Sequence, residues 1–217
     1  VLIPNINQNI LKKPFYKYAL NDAFKISNEI FVITNKKKLN YNFKNKELKK
    51  FYIKKLFKKS IENILNKSLN YKNNKFTGFI IFDARYPWRK FEIIKKGINL
   101  FNSRKYDLVK SLSIAEENPF KMWYFNNGKL STVSQLKNEP ESHSYPRQLL
   151  PITYIDNGFF EIIGKSYFNK TNIKTKIVDT HFPSLEINKN TIHDIEYLFK
   201  KEKMYKKIFH TKKRLPS

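Results

Sequence analysis

Short apolar runs alternate with amphipathic segments along the chain, and this alternation limits the possible folds more than any other feature. The apolar run Val1–Pro4 is followed, after Pro14, by apolar residues at helical spacing and then by the β-branched run Glu29–Thr34. A strand, a helix and a second strand in this order have the length of a βαβ unit. The sequence therefore predicts an α/β fold with a mostly parallel sheet.

Later segments continue the pattern. The further predicted strands are Phe79–Asp83, Asp107–Ala115, Tyr154–Ile163, Lys174–Val178 and Pro183–Ile187. The further predicted helices are one or two basic amphipathic helices within residues 36–75, then Lys90–Phe101 and Ile192–Lys203. An apolar stripe at a period near 3.6 residues is the face that such helices turn toward a core.

A predicted hairpin interrupts the alternation. Asn126–Gly128 contains an Asn-Gly pair between the segments Lys121–Phe125 and Lys129–Val133, and Asn-Gly is a strong signal for a tight hairpin turn. A Pro-rich stretch over residues 139–151 follows. We predict an arm inserted at about residues 118–151 into a single domain, 1–217, where it serves substrate capture or dimerisation.

Composition excludes several classes of protein. A content of 16% aromatic residues excludes a disordered chain, and the absence of Cys excludes disulfide scaffolds and thiolate metal sites. No apolar run is long enough to span a membrane, so we expect a cytoplasmic protein. The net charge of +25 consists mostly of Lys and accompanies much Asn and Ile, as in AT-rich genomes. A solvated lysine coat is favoured over a nucleic-acid-binding face, and attraction of anionic nucleotides is the third explanation.

Polar residues follow predicted strands at the sheet edge where ligands bind in α/β folds. Asp83 ends the third strand, and Arg85 and Arg89 come directly after it. An aspartate can hold a divalent cation there, while arginines can bind phosphate oxygens. The alternative is a simple Asp–Arg ion pair beside a buried Trp88.

The segment after the first strand is a candidate for nucleotide binding despite its composition. The first glycine of the chain is Gly78, so neither of the usual Gly-rich phosphate loops is present. A nucleotide at this edge would instead be held by Asn5, Asn7, Asn9, Lys12, Lys13, Thr34 and Asn35. The alternative for residues 7–13 is an ordinary surface turn into a helix.

Two further segments carry candidate binding residues. Pro146 and Pro151 enclose Arg147 and Gln148, whose donors suit carboxylate and hydroxyl groups, unless this is an ordered loop without a ligand. Tyr154 and Asn157 follow at the start of a predicted strand.

Glu186 and Asn188 are alternate residues of a predicted strand. They could share one face and bind a hard cation through oxygen, unless the segment is an exposed strand edge. The four histidines have no metal-ligand spacing.

These motifs occur in an order that resembles the acylneuraminate cytidylyltransferase family, which activates sugars such as sialic acid. Residues 146–148 with Leu150, Pro151, Tyr154, Asn157 and Gly158 are similar to the family's PRQ-LP-Y-NG pattern, the most specific match. Other similar segments are VLIP at 1–4, NILKKPF at 9–15, IFVITN at 30–35, DARYPWR at 83–89, NPFKMW at 118–123, EIN at 186–188 and DIEY at 194–197.

The resemblance implies a three-layer Rossmann-like nucleotide-diphospho-sugar transferase fold that is often dimeric through an inserted β-hairpin arm. It implies transfer of CMP from CTP to an acidic nine-carbon sugar with release of pyrophosphate, assisted by Mg²⁺. Arg147, Gln148, Tyr154 and Asn157 become sugar-pocket candidates. The catalytic candidates are Asp83 and Arg89, and the metal-binding candidates are Asp83, Glu186 and Asn188.

The sequence departs from the family where the phosphates of CTP would bind. No Gly-rich loop follows the first strand, the small polar PTS positions are Ala84, Arg85 and Tyr86, and one carboxylate of the family's DID motif is Asn188. Three hypotheses therefore stand: an active cytidylyltransferase, a catalytically lapsed homologue that binds sugar or nucleotide, and an unrelated nucleic-acid-binding module.

Overall fold

The computed structural model describes residues 1–4, 6, 8–27, 29–36, 47–52, 58–69, 76–182 and 185–212. Its strands are β1 (Leu2–Ile3), β2 (Asn9–Ile10), β3 (Lys13–Pro14), β4 (Glu29–Thr34), β5 (Glu47–Tyr52), β6 (Gly78–Ile81), β7 (Leu108–Ile114), β8 (Trp123–Asn126), β9 (Lys129–Thr132), β10 (Tyr154–Gly164) and β11 (Thr175–Thr180). Its α-helices are α1 (Tyr16–Phe24), α2 (Lys58–Ser68), α3 (Phe91–Asn102) and α4 (Ile192–Lys212).

The central sheet is built from two parts that meet at β1 and the end of β6. One part has the order β1-β4-β5 with parallel pairing, and the other has the order β11-β7-β10-β6. Leu2 joins them, because its N–H donates to the Phe82 carbonyl at 2.8 Å and its carbonyl accepts from Ala84 N–H at 2.9 Å. Strand β10 runs antiparallel to both β6 and β7, while β11 is parallel to β7.

Helices cover both faces of this sheet. Adjacent residues of a strand point to opposite faces. Val32 belongs to a buried cluster that includes residues of α1, α3 and α4, whereas its neighbour Ile33 belongs to a second cluster that includes residues of α2. The described elements therefore form three layers, which confirms the predicted α/β class with a mostly parallel sheet.

Part of one predicted helical region forms a strand. Residues 47–52 form β5, which pairs in register with β4 from Glu29↔Glu47 to Thr34↔Tyr52, and α2 is the only helix among the described residues of the region 36–75. The helical spacing of apolar residues was misleading, because Phe51 packs across the strand pair onto Phe31 with ring centroids 5.9 Å apart. Residues 37–46, 53–57 and 70–75 lie outside the described residues.

A second correction concerns the predicted strand Pro183–Ile187. Its described part, residues 185–187, forms no strand, and residues 183 and 184 lie outside the described residues. Ile187 N–H donates to the carbonyl of Arg85 at 2.7 Å, so the backbone is anchored to a loop rather than to a neighbouring strand.

The predicted hairpin is confirmed as the pair β8–β9. Asn127 and Gly128 at its tip have φ angles of 48° and 75°. Two successive positive φ angles are characteristic of a type I′ turn. Aromatic and aliphatic side chains of this hairpin are exposed, with Phe125 72% and Leu130 62% accessible. Among the described residues, no helix is both long and apolar enough to cross a membrane.

Candidate functional site

A cavity of about 390 Å³ lies at the carboxyl ends of β1, β4 and β6, and we call it the strand-end cavity. Pro4 follows β1, Asn35 follows β4 and Asp83 follows β6, and all three line it. Its other walls come from the start of α2, from β7 and from β10. Both its volume and its position are typical of small-molecule sites in α/β folds.

The charge of this cavity differs from the charge of the whole chain. Apart from Tyr86, the ionisable residues that line it are Glu62, Asp83, Arg85, Lys110, Asp156 and Glu161. Carboxylates thus outnumber cations here, although the chain carries a net charge of +25. Lys110 Nζ lies 2.8 Å from Asp156 Oδ2, and one carboxylate oxygen of Glu161 is buried without a hydrogen-bond partner among the described residues.

Arg85 lies between two carboxylates at the edge of the cavity. Its Nε donates to both oxygens of Asp83 at 3.1 and 2.9 Å, and its Nη2 donates to Asp83 Oδ2 at 2.6 Å. Its Nη1 donates to Glu186 Oε1 at 3.1 Å. The hydrogen bonds to Asp83 raise the pKa of Arg85 above its ordinary value, so the guanidinium stays charged. We call these three residues the Asp83–Arg85–Glu186 cluster.

The residues predicted to bind Mg²⁺ do not fit that ion. Asp83 and Glu186 come together, but both are occupied by Arg85. Asn188 is turned away, because its Oδ1 accepts from the N–H groups of Asn190 and Thr191 at 2.8 and 3.0 Å, just before α4. Mg²⁺ requires oxygen ligands in near-octahedral geometry. No group of three or more acidic or histidine side chains in the described part of the chain could hold a metal.

Tyr86 forms one wall of the cavity and explains the Asn-Gly pair of β10. Gly158 has a φ of +63°, and a Cβ added there would lie 2.0 Å from the Tyr86 ring. The register of β10 against β7 shifts between Asp156 and Glu161, so this glycine belongs to an irregularity that admits the ring. Burial and the nearby charge of Glu186 raise the pKa of Tyr86 to about 12.

Arg89, the second catalytic candidate, does not line the strand-end cavity. It is buried, its Nε donates to the Phe159 carbonyl at 2.9 Å, and its Nη2 donates to the Asp83 carbonyl. It lines a different cavity, between α1, α3 and α4. Burial lowers the pKa of Arg89 to about 10. Its contacts hold the backbone of Asp83 against β10, which is a structural role.

The nucleotide-binding candidates separate into three groups. Asn35 lines the cavity, and its Oδ1 is buried without a partner among the described residues. Thr34 is fully buried, and its hydroxyl donates to the Ile3 carbonyl at 2.6 Å, so it fastens β4 to β1. Asn9, Lys12 and Lys13 belong to the short hairpin β2–β3, where all three are exposed. Asn5 and Asn7 lie outside the described residues.

Asn157, a sugar-pocket candidate, is part of the interior. It is fully buried, its Oδ1 accepts from Ser111 Oγ at 2.8 Å, and its Nδ2 donates to Ser113 Oγ and Thr180 Oγ1 at 3.0 and 2.9 Å. These contacts join β10 to β7 and β11. Every polar atom of its amide group therefore has a partner within the protein, and this side chain is not open to a sugar.

The other sugar-pocket candidates lie on the surface. Arg147 is 59% exposed, and its Nη2 pairs with Glu117 Oε2 at 2.8 Å. Gln148 is also exposed, and Tyr154 is 40% accessible. Tyr154 and Asp156 are alternate residues of β10, so they share one face of the strand. This face leads from the strand-end cavity toward the arm.

Several cavity residues were not predicted from the sequence: Tyr86, Lys110, Asp156 and Glu161. Glu161 carried a usable signal, because it is a lone acid between Phe160 and Ile162 in an apolar strand. Lys110 and Asp156 carried none, since neither lies in a motif of its own and single charged residues are ordinary in strands with one exposed face. Only the pairing of β7 with β10 brings these two together.

Comparisons with known proteins support the fold. No family model and no curated protein matches the chain by sequence. The solved structure of 4-diphosphocytidyl-2C-methyl-D-erythritol synthase from Anaerococcus prevotii is similar with a TM-score of 0.60 and 11% identity, over 92% of this chain and 96% of that one.

A second similar structure is that of CMP:2-keto-3-deoxy-manno-octonic acid synthetase in complex with CTP. Its TM-score is 0.56 and its identity 9%, over 93% of this chain and 98% of that one. The likeness covers nearly the whole of each chain, and it confirms the predicted three-layer Rossmann-like α/β fold.

Proposed function

We propose that this protein is a cytidylyltransferase that transfers CMP from CTP to the hydroxyl group of a sugar and releases pyrophosphate. The observation that carries the proposal is the strand-end cavity, which lies where ligands bind in such sheets and contains Asp83, Asn35 and Lys110. The names of both similar structures refer to cytidine compounds, and one of those structures holds CTP.

In the proposed reaction the oxygen of the sugar hydroxyl forms a bond to the α-phosphorus of CTP, the bond from this phosphorus to pyrophosphate breaks, and the hydroxyl proton passes to solvent. Positioning and electrostatic stabilisation supply most of the catalysis in phosphoryl transfer. Asn35, whose amide oxygen has no partner among the described residues, would accept a hydrogen bond from the nucleotide. Lys110 would meet developing phosphate charge, and Asp83 would act by holding Arg85 in place.

The reaction is tested by incubating the full chain with CTP, Mg²⁺ and a panel of acidic sugars, followed by detection of pyrophosphate. Mg²⁺ is supplied as the counter-ion of CTP, since it remains a predicted participant without a fitted site on the protein. Sugar-dependent release of pyrophosphate, lost in Lys110→Met and retained in Lys129→Met of the arm, is the expected result. No release with any sugar would contradict the proposal.

For the substrate we propose a sugar that carries a carboxylate, as the resemblance to acylneuraminate cytidylyltransferases suggests. Tyr154 and Asp156 share a strand face, and Arg147 lies beside Glu117 just beyond the end of β7. A sugar bound along this face would have its hydroxyl in the cavity and its carboxylate near Arg147. A guanidinium pairs with a carboxylate through two parallel hydrogen bonds, which lysine cannot reproduce.

Arg147→Lys tests this orientation. It should weaken the binding of a CMP-linked acidic sugar by about 1.5–3 kcal/mol, which is roughly a 10- to 150-fold loss of affinity. Glu117→Gln is the matched control, because it releases Arg147 from its surface partner but keeps the guanidinium. Unchanged affinity in Arg147→Lys for every acidic sugar tested would end the assignment.

A catalytically lapsed homologue that still binds sugar or nucleotide is the second candidate. The observation that favours it is the Asp83–Arg85–Glu186 cluster, in which both acids are already neutralised by a side chain. Such a protein would bind CTP or a CMP-sugar in calorimetry but release no pyrophosphate. The two experiments above separate it from an active enzyme.

We also propose that two copies associate through the arm. Trp123, Tyr124, Phe125 and Leu130 of the hairpin β8–β9 are exposed, and apolar patches of this kind commonly mark protein interfaces. Analytical ultracentrifugation should give a dimer for the unaltered chain and a monomer for Phe125→Asp. A monomer before substitution would exclude this role of the arm. The cytoplasmic location stays a prediction.

A further inference from the structure

The guanidinium of Arg85 lies between the two acids that the sequence predicted as metal ligands. It is the only ion-pair partner that either Asp83 or Glu186 has among the described residues. Its contacts use the Nε–H group and N–H groups of both terminal nitrogens. A guanidinium is planar and always charged, so it can satisfy two carboxylates at once.

Contacts other than those of the Arg85 side chain also hold this arrangement. The N–H of Arg85 donates to Asp83 Oδ1 at 2.9 Å, which fixes the orientation of that carboxylate. Ile187 N–H donates to the carbonyl of Arg85 at 2.7 Å, which fixes the segment that carries Glu186. The hydroxyl of Tyr86 donates to Glu186 Oε2 at 3.4 Å. Truncation of Arg85 would therefore leave both acids beside the same vacated position.

We propose that the Arg85 guanidinium takes the place of a divalent cation between Asp83 and Glu186, and that this residue keeps the site from binding a metal ion. A metal entering here would have to displace a charge that cannot dissociate from the chain. The protein then begins any reaction with a permanent cation at the edge of the strand-end cavity. This inference goes beyond the proposed function, because it concerns the chain without nucleotide or sugar.

Manganese is the probe, since bound Mn²⁺ is distinguished from free Mn²⁺ by its electron paramagnetic resonance signal. Titrations without nucleotide compare the unaltered chain with Arg85→Ala and with Arg85→Met, which keeps the apolar stem of the side chain. Removal of the guanidinium should create a one-ion site and raise Mn²⁺ affinity by about tenfold or more, because two uncompensated carboxylates become available. Circular dichroism and melting temperature verify that each variant is folded.

The control is the double variant Arg85→Met/Glu186→Gln, in which the gained affinity should disappear. Two results would overturn the inference. One is tight one-to-one Mn²⁺ binding by the unaltered chain that Glu186→Gln abolishes. The other is a gain in Arg85→Met that persists in the double variant. The measurement on the unaltered chain can overturn the inference even if an Arg85 variant fails to fold.

This test separates the inference from the proposed reaction. Pyrophosphate release by the unaltered chain, together with Mn²⁺ binding that depends on Glu186, would retain the transferase and overturn the role of Arg85. Absence of pyrophosphate release, together with Mn²⁺ binding gained only in the Arg85 variants, would retain the role of Arg85 and contradict the transferase.

Discussion

The strand-end cavity and the arm contrast in how their sequence motifs relate to their structure. The most specific motif, around Arg147 to Gly158, lies at the junction with the arm, where Arg147 and Gln148 are exposed and Asn157 is buried in a polar network. Apart from Gly158 at the end of that motif, the cavity is lined largely by segments that depart from the resembled family or lie outside its motifs, yet it encloses about 390 Å³. A recognisable motif and an enclosed site are therefore different properties of this chain.

The reason lies in what each region contacts. Cavity residues are held by neighbouring strands, so an altered side chain such as Arg85 still reaches Asp83 and Glu186. Residues of the arm contact mainly each other and solvent within one chain. The exposed side chains of the arm can form a binding site only when a ligand or a second protein covers them. Substitutions should therefore disturb folding far more near the cavity than in the arm.

The largest expected difference is between two glycines that both have positive φ. Gly158→Ala should destabilise the protein by about 2–5 kcal/mol, because a left-handed alanine is strained and its Cβ would overlap the Tyr86 ring. Gly128→Ala in the hairpin should cost only the strain, about 1–2 kcal/mol, since no described atom lies within 4 Å of the added Cβ. Urea denaturation of both variants measures the difference. Equal losses would show that Tyr86 gives way.

The next effect concerns the two polar candidates of the sugar motif. Asn157→Ala removes one hydrogen bond each from Ser111, Ser113 and Thr180, although each of these hydroxyl groups keeps another partner. It also leaves the buried N–H of Phe159 without its acceptor, and a buried group left unpaired costs about 1–3 kcal/mol. We expect a clear fall in melting temperature. Asn157→Asp is the companion variant, because it keeps the shape but replaces the donor toward Ser113 and Thr180. A stable Asn157→Ala protein with weakened sugar binding would instead restore Asn157 to the pocket.

A smaller effect should appear at high pH. The pKa of Tyr86 is about 12 in the folded protein, above its ordinary value of 10.0, so folding favours the neutral phenol. The stabilisation that follows from this raised pKa is complete below pH 10 and is lost as the pH rises from 10 to 12. The free energy of unfolding of Tyr86→Phe should therefore fall less than that of the unaltered chain between pH 9.5 and 11.5. Tyr145→Phe beside the arm is the matched control: the charge of Glu139 raises the Tyr145 pKa, but solvent screens it. Parallel pH profiles for Tyr86→Phe and the unaltered chain would contradict the assignment.

The smallest expected effect on stability is that of Arg147→Ala. Its ion pair with Glu117 is 59% and 64% exposed on the two sides, and exposed pairs contribute about 0–1 kcal/mol. Chemical denaturation should thus give nearly the same free energy of unfolding as for the unaltered chain. A loss of several kcal/mol would mean that Arg147 supports the arm rather than a ligand.

Much of the fold could be predicted because it depends on local patterns. The β-branched run Glu29–Thr34 became β4 with the predicted bounds, and Asn-Gly produced a hairpin because few residues accept two positive φ angles in succession. The failure at residues 47–52 has the opposite cause. There, pairing with β4 decided the outcome, since the apolar spacing alone suited a helix.

The sequence by itself determined the layered α/β architecture, the hairpin and the position of Asp83 at the end of a strand, because hydrophobic periodicity and turn residues act over a few neighbouring residues. Only the tertiary structure decided which polar groups meet. Arg85 and Glu186 are far apart in sequence and touch because the segment before α4 docks on the loop after β6. Asn157 is buried because hydroxyl groups on β7 and β11 hydrogen-bond its amide group, and no local sequence pattern predicts such partners.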